Sequence, residues 1–488
     1  MKIKLYFLFS LFFLALSAFS QQTVNEFINE LKKEPELQNA SVSLCVVDAK
    51  TGLQICEYNS KLSLTPASTM KIITTSVALQ LLGKDFKYET LLQYSGTFDK
   101  ASGVINGDLY IKGSGDPSLN SEYFRKPEDT FYVANKWVAI LKEKGIKKIT
   151  GQLVMDVSCF EEDIPANWVW GDMGNYFGAA PSGLSYSDNK FYIVYKPAAK
   201  NGDSMVISKT VPQIDNLTIS NYVKAGGTED NAMIYRAPFG TDLKINGTLP
   251  ISTKPLSIEG SLPYPELLLA KHLQQAFATQ NIELNNKTVL KITAYTKKQY
   301  TKSLTTLYTY KSPTLEKIIF FTNLHSNNQY AESIFRTMAL KSKSGFGSTT
   351  QGIQTVTNHL KTKGFDANGL FINDGSGLSR SNAVTAEHLT KILYMMYSDS
   401  LTKLPFQNSL PVAGISGSLK NLGKGTVLEN NLKAKSGYIT RVRSYAGYMK
   451  TKSGKEICLS LIINNFNGTP TDTKKKMEQI FLKIYENY

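Results

Sequence analysis

The 488-residue sequence predicts one α/β unit that is divided by a long β-rich insertion. Apolar and polar residues alternate near the start of the chain, as in a β-hairpin. Alternation returns near the end and is followed by an amphipathic helix. Between the two ends, short alternating segments broken by Gly, Pro and Asn give way to several helical stretches. With 42% hydrophobic and 19% charged residues, the composition is that of a globular protein.

The first predicted element is a hairpin of residues 41–49 and 52–58. A two-residue loop, Lys50-Thr51, pairs the strands so that Cys45 lies opposite Cys56. In an oxidising compartment these cysteines can form a disulfide, but a cross-strand bridge requires specific geometry. The sequence is equally compatible with a bridge and with two buried thiols.

A helix follows a turn at residues 65–68, and Gly83 is placed to end it. Its apolar residues recur at helical spacing: Met70, Ile73, Val77, Ala78 and Leu81. Residues 86–285 then form the β-rich insertion, with a second β-rich unit nested inside it at about residues 199–257.

The second part of the α/β unit is predicted to span residues 286–488, and the first part residues 21–85. Helical patterning covers residues 312–341, 352–363 and 385–397, and strand-like alternation covers residues 431–438, 443–450 and 456–464. The chain closes with an amphipathic helix that presents Met477, Ile480, Phe481, Ile484 and Tyr485.

Residues 1–20 have the pattern of a secretory signal peptide. Two lysines precede an apolar run from Leu5 to Leu16, and Ala18-Phe19-Ser20 puts small residues where a signal peptidase reads them. The run is too short for a bilayer-spanning helix, which disfavours the alternative of an uncleaved membrane anchor. We therefore expect cleavage before Gln21 and export to the periplasm or cell envelope.

The net charge of +15 is carried by scattered lysines rather than by one basic stripe. Together with export, this argues against nucleic acid as a partner. A basic exterior suits anionic cell-wall polymers and lipid head groups equally well, so peripheral membrane association is one expectation. The pattern does not decide the oligomeric state.

The sequence predicts no metal and no cofactor. The chain has four histidines, and they stand in no recognisable triad motif: His272, His325, His359 and His388. No cluster of His, Cys and Asp has the spacing of a zinc site. A short Gly113-Ser114-Gly115 segment lacks the flanking pattern of a nucleotide-binding loop.

The first chemical motif is Ser68-Thr69-Met70-Lys71, at the start of the predicted helix. Residues three apart share a helix face, so the lysine amine can reach the serine hydroxyl and take its proton. Ser400 and Lys403 have the same spacing, but they fall in a short polar connection. We therefore predict Ser68 as the nucleophile and Lys71 as its base.

The second motif is Ser-x-Asn, for which there are two candidates. Ser326-Asn327-Asn328 falls between the helical segments 315–324 and 330–340, where a turn can project a hydroxyl and an amide into a cleft. Ser187-Asp188-Asn189 is the alternative, but it leads into a strand-like run of the insertion. We favour Ser326 and Asn328.

The third motif, Lys-Ser-Gly, occurs three times. At 343–345 it follows a helix, and at 452–454 it forms a hairpin turn. Only Lys435-Ser436-Gly437 runs along a strand, whose edge can bind an extended peptide. Gly437 permits close approach, while Lys435 and Ser436 supply charge and a hydroxyl for a carboxylate.

In combination and in this order, the three motifs mark penicillin-binding proteins and serine β-lactamases. The chain resembles the class C low-molecular-mass penicillin-binding proteins, the D-alanyl-D-alanine carboxypeptidase/endopeptidase family. Three further segments carry the resemblance: DLYIKGSGDP at 108–117, DGSGLSR at 374–380 and PVAG at 411–414. The long insertion between the first two motifs is itself a feature of that family.

The resemblance implies a penicillin-binding transpeptidase/serine β-lactamase-like catalytic domain, interrupted by two smaller β-rich domains. It implies peptidoglycan peptides as substrates and β-lactam antibiotics as inhibitors. It leaves open whether terminal trimming or cross-link cleavage dominates.

The resemblance also implies a role for each motif residue. Ser68 would attack the carbonyl between two D-alanines, with Lys71 as the general base, and Ser326 would relay a proton to the leaving amine. Asn328 would hold both the acyl-side amide of the substrate and the Lys71 side chain. Lys435 and Ser436 would orient the substrate carboxylate, and the backbone N–H groups of Ser68 and Tyr438 would form the oxyanion hole.

Two departures and one further position accompany this pattern. Tyr438 follows Gly437 where family members usually carry a small hydroxyl residue, and Ser436 replaces the commoner threonine. Asp156 matches a position of the insertion that in some relatives faces the amino end of the peptide stem. Structurally, Asp156 is also compatible with a turn or a sheet-edge carboxylate.

Two rival functions share these motifs. A β-lactamase would differ mainly in fast deacylation, but no Glu-bearing deacylation loop is recognised. A catalytically silent cell-wall binding protein would tolerate loss of motif residues, whereas the set is intact here.

Overall fold

The computed structural model describes residues 23–300, 302–343 and 345–488. The predicted signal peptide, residues 1–20, lies outside these ranges. Over the described residues, no helix combines the length and hydrophobicity needed to cross a bilayer.

The chain alternates between helices and strands, with most strands before residue 320. The helices are α1 (residues 23–31), α2 (Met70–Leu82), α3 (Tyr132–Glu143), α4 (Trp170–Met173), α5 (Pro265–Thr279), α6 (Leu315–Leu324), α7 (Asn328–Leu340), α8 (Thr349–Thr362), α9 (Ala386–Ser398), α10 (Lys403–Ser409) and α11 (Pro470–Asn487). The strands are β1 (Ser41–Asp48), β2 (Gln54–Tyr58), β3 (Glu89–Tyr94), β4 (Thr97–Asp99), β5 (Val104–Asn106), β6 (Leu109–Lys112), β7 (Lys148–Ile149), β8 (Leu153–Asp156), β9 (Lys190–Tyr195), β10 (Ile207–Val211), β11 (Thr218–Ala225), β12 (Met233–Tyr235), β13 (Asp242–Leu249), β14 (Leu256–Ser261), β15 (Glu283–Leu284), β16 (Val289–Ile292), β17 (Thr305–Lys311), β18 (Lys433–Ile439), β19 (Val442–Lys450) and β20 (Glu456–Asn464).

The chain divides into two compact units. The first unit consists of the described residues up to 84, with 319–327 and 353–488, and the second unit of 85–318 and 328–352. The predicted domain boundaries, at 21–85, 86–285 and 286–488 with a nested domain near 199–257, divide the chain differently and stay a prediction.

The first unit is built on an antiparallel sheet of order β18-β19-β20-β1-β2. Side chains alternate across β1, so that Val42, Leu44 and Val46 join a buried apolar core with residues of α1 and α11. On the other face, α9 packs against β1, β19 and β20, and α2 packs against α9. This two-sided burial explains why β20 reads as an almost continuous apolar run.

The hairpin of β1 and β2 corrects the predicted cysteine pairing. Cys45 lies opposite Glu57 and Val46 lies opposite Cys56, so the predicted register is wrong by one residue. The connection runs over residues 49–53 rather than two residues, because the backbone N–H groups of Lys50 and Thr51 donate to Asp48 at 2.9 Å.

A shift of one residue places the two cysteines on opposite faces of the sheet. Thr390 of α9 donates to the Cys45 sulfur at 3.2 Å, whereas Cys56 is buried in the core beneath α11. All four cysteines are free thiols in the structure.

The second unit is rich in strands. Its sheets have the orders β16-β8-β6-β3-β17, β15-β7-β5-β4, β10-β9-β14 and β11-β13-β12. The helices α3 and α5 contribute Trp137, Leu141, Leu269 and Phe277 to its buried core. The three strands β11, β12 and β13 fall within the predicted nested region.

The buried thiols give a test of the corrected register. Burial raises the pKa of Cys45 to about 11 and that of Cys56 to about 12, so few thiolates are present at pH 8. We expect iodoacetamide at pH 8 to leave both cysteines unlabelled in the native protein and to label both in denaturant without reductant, as measured by peptide mass mapping. A disulfide-linked Cys45–Cys56 peptide in the unreduced sample would contradict the structure.

Candidate active site

Ser68 lies in a 3-10 turn, Ala67–Thr69, that leads into α2. Ala67 has a φ of 47°, which a non-glycine residue adopts only when its surroundings hold it there. Ser444 of β19 donates to the carbonyl of Pro66 at 2.5 Å, and Thr69 donates to the same carbonyl at 2.7 Å. Sheet and helix therefore fix the turn that presents Ser68.

Lys71 follows one helical turn later, as the Ser-x-x-Lys spacing predicts. Its Nζ donates to the Ser68 Oγ at 3.1 Å and to the Ser376 carbonyl at 2.7 Å. The side chain of Lys71 is fully buried. The structure thus brings the predicted nucleophile and base within hydrogen-bond reach.

The carbonyl that holds Lys71 belongs to a loop built around Asp374. The carboxylate of Asp374 accepts from the backbone N–H groups of Gly377 at 2.7 Å and Ser379 at 2.6 Å. It also accepts from the amide of Asn382 at 2.7 Å. The motifs did not single out this loop, and the only sequence signal for it was the segment similarity at 374–380.

Gly377 lets the loop approach the turn that carries Ser68. Its φ is 83°, and a Cβ at this position would lie 1.9 Å from the Ala67 carbonyl oxygen. Thr74 of α2 donates to the Gly375 carbonyl at 2.6 Å. The loop therefore contacts the chain on both sides of Lys71, at Ala67 in the 3-10 turn and at Thr74 in α2.

Ser326 and Lys435 form the second half of the cluster. Ser326 has a φ of 56° in the connection after α6, and the Nζ of Lys435 donates to its Oγ at 2.9 Å. Lys435 is fully buried and donates also to the Ser436 carbonyl at 2.8 Å. Burial lowers the pKa of Lys435 well below its usual value, and the positive charge of Lys71 lowers it further.

Strand β18 forms the edge of its sheet and turns alternate backbone groups outward. The Ala434 N–H donates away from β19, to the Pro411 carbonyl at 2.9 Å. Because orientation alternates along an antiparallel pair, the N–H groups of Ser436 and Tyr438 also point away from β19. A peptide can therefore pair with this edge.

At Gly437, strand β18 approaches the turn that carries Ser68. A Cβ at Gly437 would lie 2.9 Å from the Ser68 nitrogen, 2.5 Å from the Pro66 carbonyl oxygen and 2.3 Å from the Ser444 Oγ. Only glycine fits this approach. It brings the outward-facing edge of β18 beside the Ser68 amide.

The two residues that flank Gly437 face the same side of the strand. Ser436 donates through its Oγ to the Ser418 Oγ at 2.6 Å. Tyr438 is half exposed, and the guanidinium carbon of Arg443 lies 5.3 Å from the centre of its ring. Sequence reasoning missed Ser418, because no motif marked it.

The remaining predicted site residues, Asn328 and Asp156, belong to the second unit. Asn328 is the first residue of α7, and its side-chain amide donates to the Phe177 carbonyl at 2.8 Å. Asp156 ends β8, is 7% exposed and accepts from the Ser158 N–H at 3.0 Å. The cluster of the first unit thus holds Ser68, Lys71, Ser326 and Lys435–Tyr438.

The rejected motif candidates have other contacts. Asp188 accepts from the Tyr330 hydroxyl at 2.9 Å and from the Glu122 N–H at 3.0 Å within the second unit. Lys403 lies at the start of α10, with its Nζ 3.4 Å from the centre of the Tyr397 ring. The 452–454 segment is the turn between β19 and β20.

In a comparison with known proteins, residues 24–484 match the model of the D-Ala-D-Ala carboxypeptidase 3 (S13) family. A relative in Haemophilus influenzae, D-alanyl-D-alanine carboxypeptidase DacB, is 26% identical over 435 residues, 86% of this chain and 85% of the relative. A D-alanyl-D-alanine carboxypeptidase of Actinomadura sp. (strain R39) is 26% identical over 461 residues, 91% of this chain and 81% of the relative.

Among solved structures, the fold matches penicillin binding protein 4 (dacB) from Haemophilus influenzae. The TM-score is 0.79 at 22% sequence identity, and the match covers 94% of this chain and 99% of that one. The predicted fold class, a mixed α/β penicillin-binding fold, is confirmed.

The close approach at Gly437 predicts a large effect of one added methyl group. In Gly437→Ala the Cβ must push β18 away from the turn of Ser68, which displaces the outward amide of Tyr438 from Ser68. We expect the acylation of Ser68 by benzylpenicillin to slow about a hundredfold, the cost of losing one oxyanion donor in other enzymes. Intact-protein mass against time measures this rate.

Gly171→Ala is the matched control, because a Cβ there meets only one ring carbon of Tyr235, at 3.7 Å. We expect this variant to acylate at the wild-type rate. A wild-type rate for Gly437→Ala, in a protein with an unchanged melting temperature, would show that the approach does not matter for the reaction.

Proposed function

We propose that Ser68, assisted by Lys71, carries out the hydrolysis of D-alanyl-D-alanine peptides by this chain, which belongs to the D-Ala-D-Ala carboxypeptidase 3 (S13) family. The family predicted from the three motifs is confirmed. The observation that carries the residue assignment is the 3.1 Å hydrogen bond between the Lys71 Nζ and the Ser68 Oγ. A base this close to a hydroxyl can take its proton as the hydroxyl attacks.

In the first step the Ser68 Oγ forms a bond to the carbonyl carbon between the two D-alanines, and its proton passes to the neutral amine of Lys71. The C–N bond then breaks, and the leaving amine receives the proton that Lys71 took up, passed on through the Ser326 hydroxyl, so that Lys71 is neutral again. Water next attacks the acyl-enzyme and gives one proton to Lys71. As the bond between the Ser68 Oγ and the acyl carbon breaks, Lys71 returns this proton to the Oγ and the acid product leaves. The contact of Ser326 with Lys435 supports its place in this relay.

The developing oxyanion is assigned to the backbone N–H groups of Ser68 and Tyr438. The support for this pair is the outward orientation of the Tyr438 amide and the approach of Gly437 to the Ser68 nitrogen. Lys435 and Ser436 are assigned to the substrate carboxylate, because a buried ammonium attracts an anion and a hydroxyl can donate to it.

Two further assignments come from the family pattern, and a third comes from the sequence pattern of the first twenty residues. Asn328 is assigned to the acyl-side amide of the substrate, and Asp156 to the amino end of the peptide stem. The carboxylate of Asp156 suits a cationic group by charge complementarity. Residues 1–20 are assigned as a signal peptide, so that the mature chain acts on peptidoglycan in the periplasm or cell envelope.

The nucleophile assignment predicts a covalent adduct. We expect benzylpenicillin to add one drug mass to the wild-type protein and none to Ser68→Ala, as measured by intact-protein mass. Ser400→Ala is the matched control, because Ser400 stands in the second Ser-x-x-Lys string, and we expect it to be labelled like the wild type.

Other outcomes of the same experiment favour the rival functions. Rapid hydrolysis of the drug without an accumulating adduct indicates a β-lactamase. An intact drug with no adduct on the wild type indicates a silent binding protein. An adduct that persists in Ser68→Ala refutes the assignment of the nucleophile.

The base assignment makes a separate prediction. Lys71→Met removes the group that accepts the Ser68 proton, and general-base catalysis contributes typically 10²–10⁴-fold. We expect the rate of acylation by benzylpenicillin to fall by about that factor, as measured by intact-protein mass in samples quenched at successive times. Lys403→Met, the lysine of the second string, is expected to leave the rate unchanged, and equal losses in both variants would contradict the assignment.

A further inference from the structure

Ser418 and Ser436 form a hydroxyl pair at the edge of β18. The two oxygens are 2.6 Å apart, with Ser436 donating, so this bond does not use the hydroxyl hydrogen of Ser418. Ser418 is exposed and Ser436 is partly exposed, so both hydroxyls can be reached from solvent. The pair stands at the same strand edge that approaches the Ser68 amide.

The loop that carries Ser418 is fastened to the first unit at several points. Val412 bridges to Lys433, the first residue of β18, and its N–H donates to the Ser416 Oγ at 3.0 Å. A Cβ at Gly417 would lie 2.4 Å from the Leu324 carbonyl oxygen. The position of Ser418 is therefore set by close backbone packing, which is what a ligand-binding group requires.

The buried amine of Lys435 lies beside this pair. It donates to two neutral oxygens, those of Ser326 and of the Ser436 carbonyl. Burial without a negative partner lowers the pKa of this amine, and an anion at the open side of the site would favour its protonated form. A carboxylate offers two acceptor oxygens, and two neighbouring hydroxyls can donate one hydrogen to each.

Tyr438 does not supply such a short hydroxyl. It carries its hydroxyl at the far end of an aromatic ring, and that ring lies against the guanidinium of Arg443. Arg443 is in turn bonded to the Tyr445 hydroxyl at 3.0 Å. The second short hydroxyl at this edge is therefore that of Ser418.

We propose that Ser418 is a specificity-determining ligand of this enzyme, whose hydroxyl binds the free C-terminal carboxylate of the peptide substrate together with that of Ser436. The inference rests on the proposed function. When the substrate enters, Ser436 redirects its hydrogen from Ser418 to one carboxylate oxygen, and Ser418 donates to the other. The pair then distinguishes a peptide with a free terminus from one whose terminus is blocked.

The test compares two substrates, a peptide ending in D-Ala-D-Ala and the same peptide ending in an amide. We expect Ser418→Ala to lower kcat/KM about tenfold or more on the acid, because it removes a hydrogen bond to a charged group. On the amide we expect a change of less than twofold. Ser418→Thr keeps the hydroxyl and should restore the acid preference, and Ser453→Ala, on the exposed turn between β19 and β20, should change neither rate.

Each other outcome overturns the inference in a recognisable way. Equal losses on acid and amide would give Ser418 a structural role only. No loss on the acid, with an active wild type, would exclude Ser418 as a ligand and leave the proposed function standing. A wild type that hydrolyses neither peptide and forms no penicillin adduct would refute the proposed function, and this inference with it.

Discussion

The site depends on one close contact, the approach of β18 to the turn that carries Ser68. No side chain fits at Gly437, and Ser444 on the neighbouring strand holds the Pro66 carbonyl of the same turn. Sheet, turn and helix are therefore registered against each other by close backbone packing and by the short side chain of Ser444, rather than by long flexible side chains. This kind of contact keeps hydrogen-bond donors at a fixed distance from a developing charge.

Segments that are far apart in the sequence meet near this contact, and each is held in place by its own local hydrogen bonds or backbone turn. The Asp374 carboxylate accepts hydrogen bonds from backbone N–H groups of its loop, and this loop conformation places the Ser376 carbonyl where it accepts from Lys71. A positive φ at Ser326 turns its hydroxyl toward Lys435 between two helices. Because these devices are local, the β-rich insertion can separate the motifs in sequence without disturbing the geometry of the first unit.

The parts of the site that follow from local periodicity were predictable from the sequence, and the parts that depend on long-range packing were not. Ser68 and Lys71 share a helix face, and Lys435 to Gly437 read as a strand, so both could be placed from their surroundings. The carbonyl of Ser376 and the hydroxyl of Ser418 come from loops whose paths no periodicity encodes. The register of Cys45 was wrong because alternation does not specify how many residues a turn contains.

Two buried lysines in one site are unfavourable for folding, since each ammonium loses its water and the two repel each other. The described partners of Lys435 are neutral oxygens, which satisfy its hydrogen bonds but do not remove its charge. Such an arrangement has a chemical consequence. In the proposed reaction, one neutral amine receives the Ser68 proton and one positive charge attracts an anionic substrate. The repulsion that opposes two charges favours a site with one neutral and one charged lysine, and the proposed reaction requires this division.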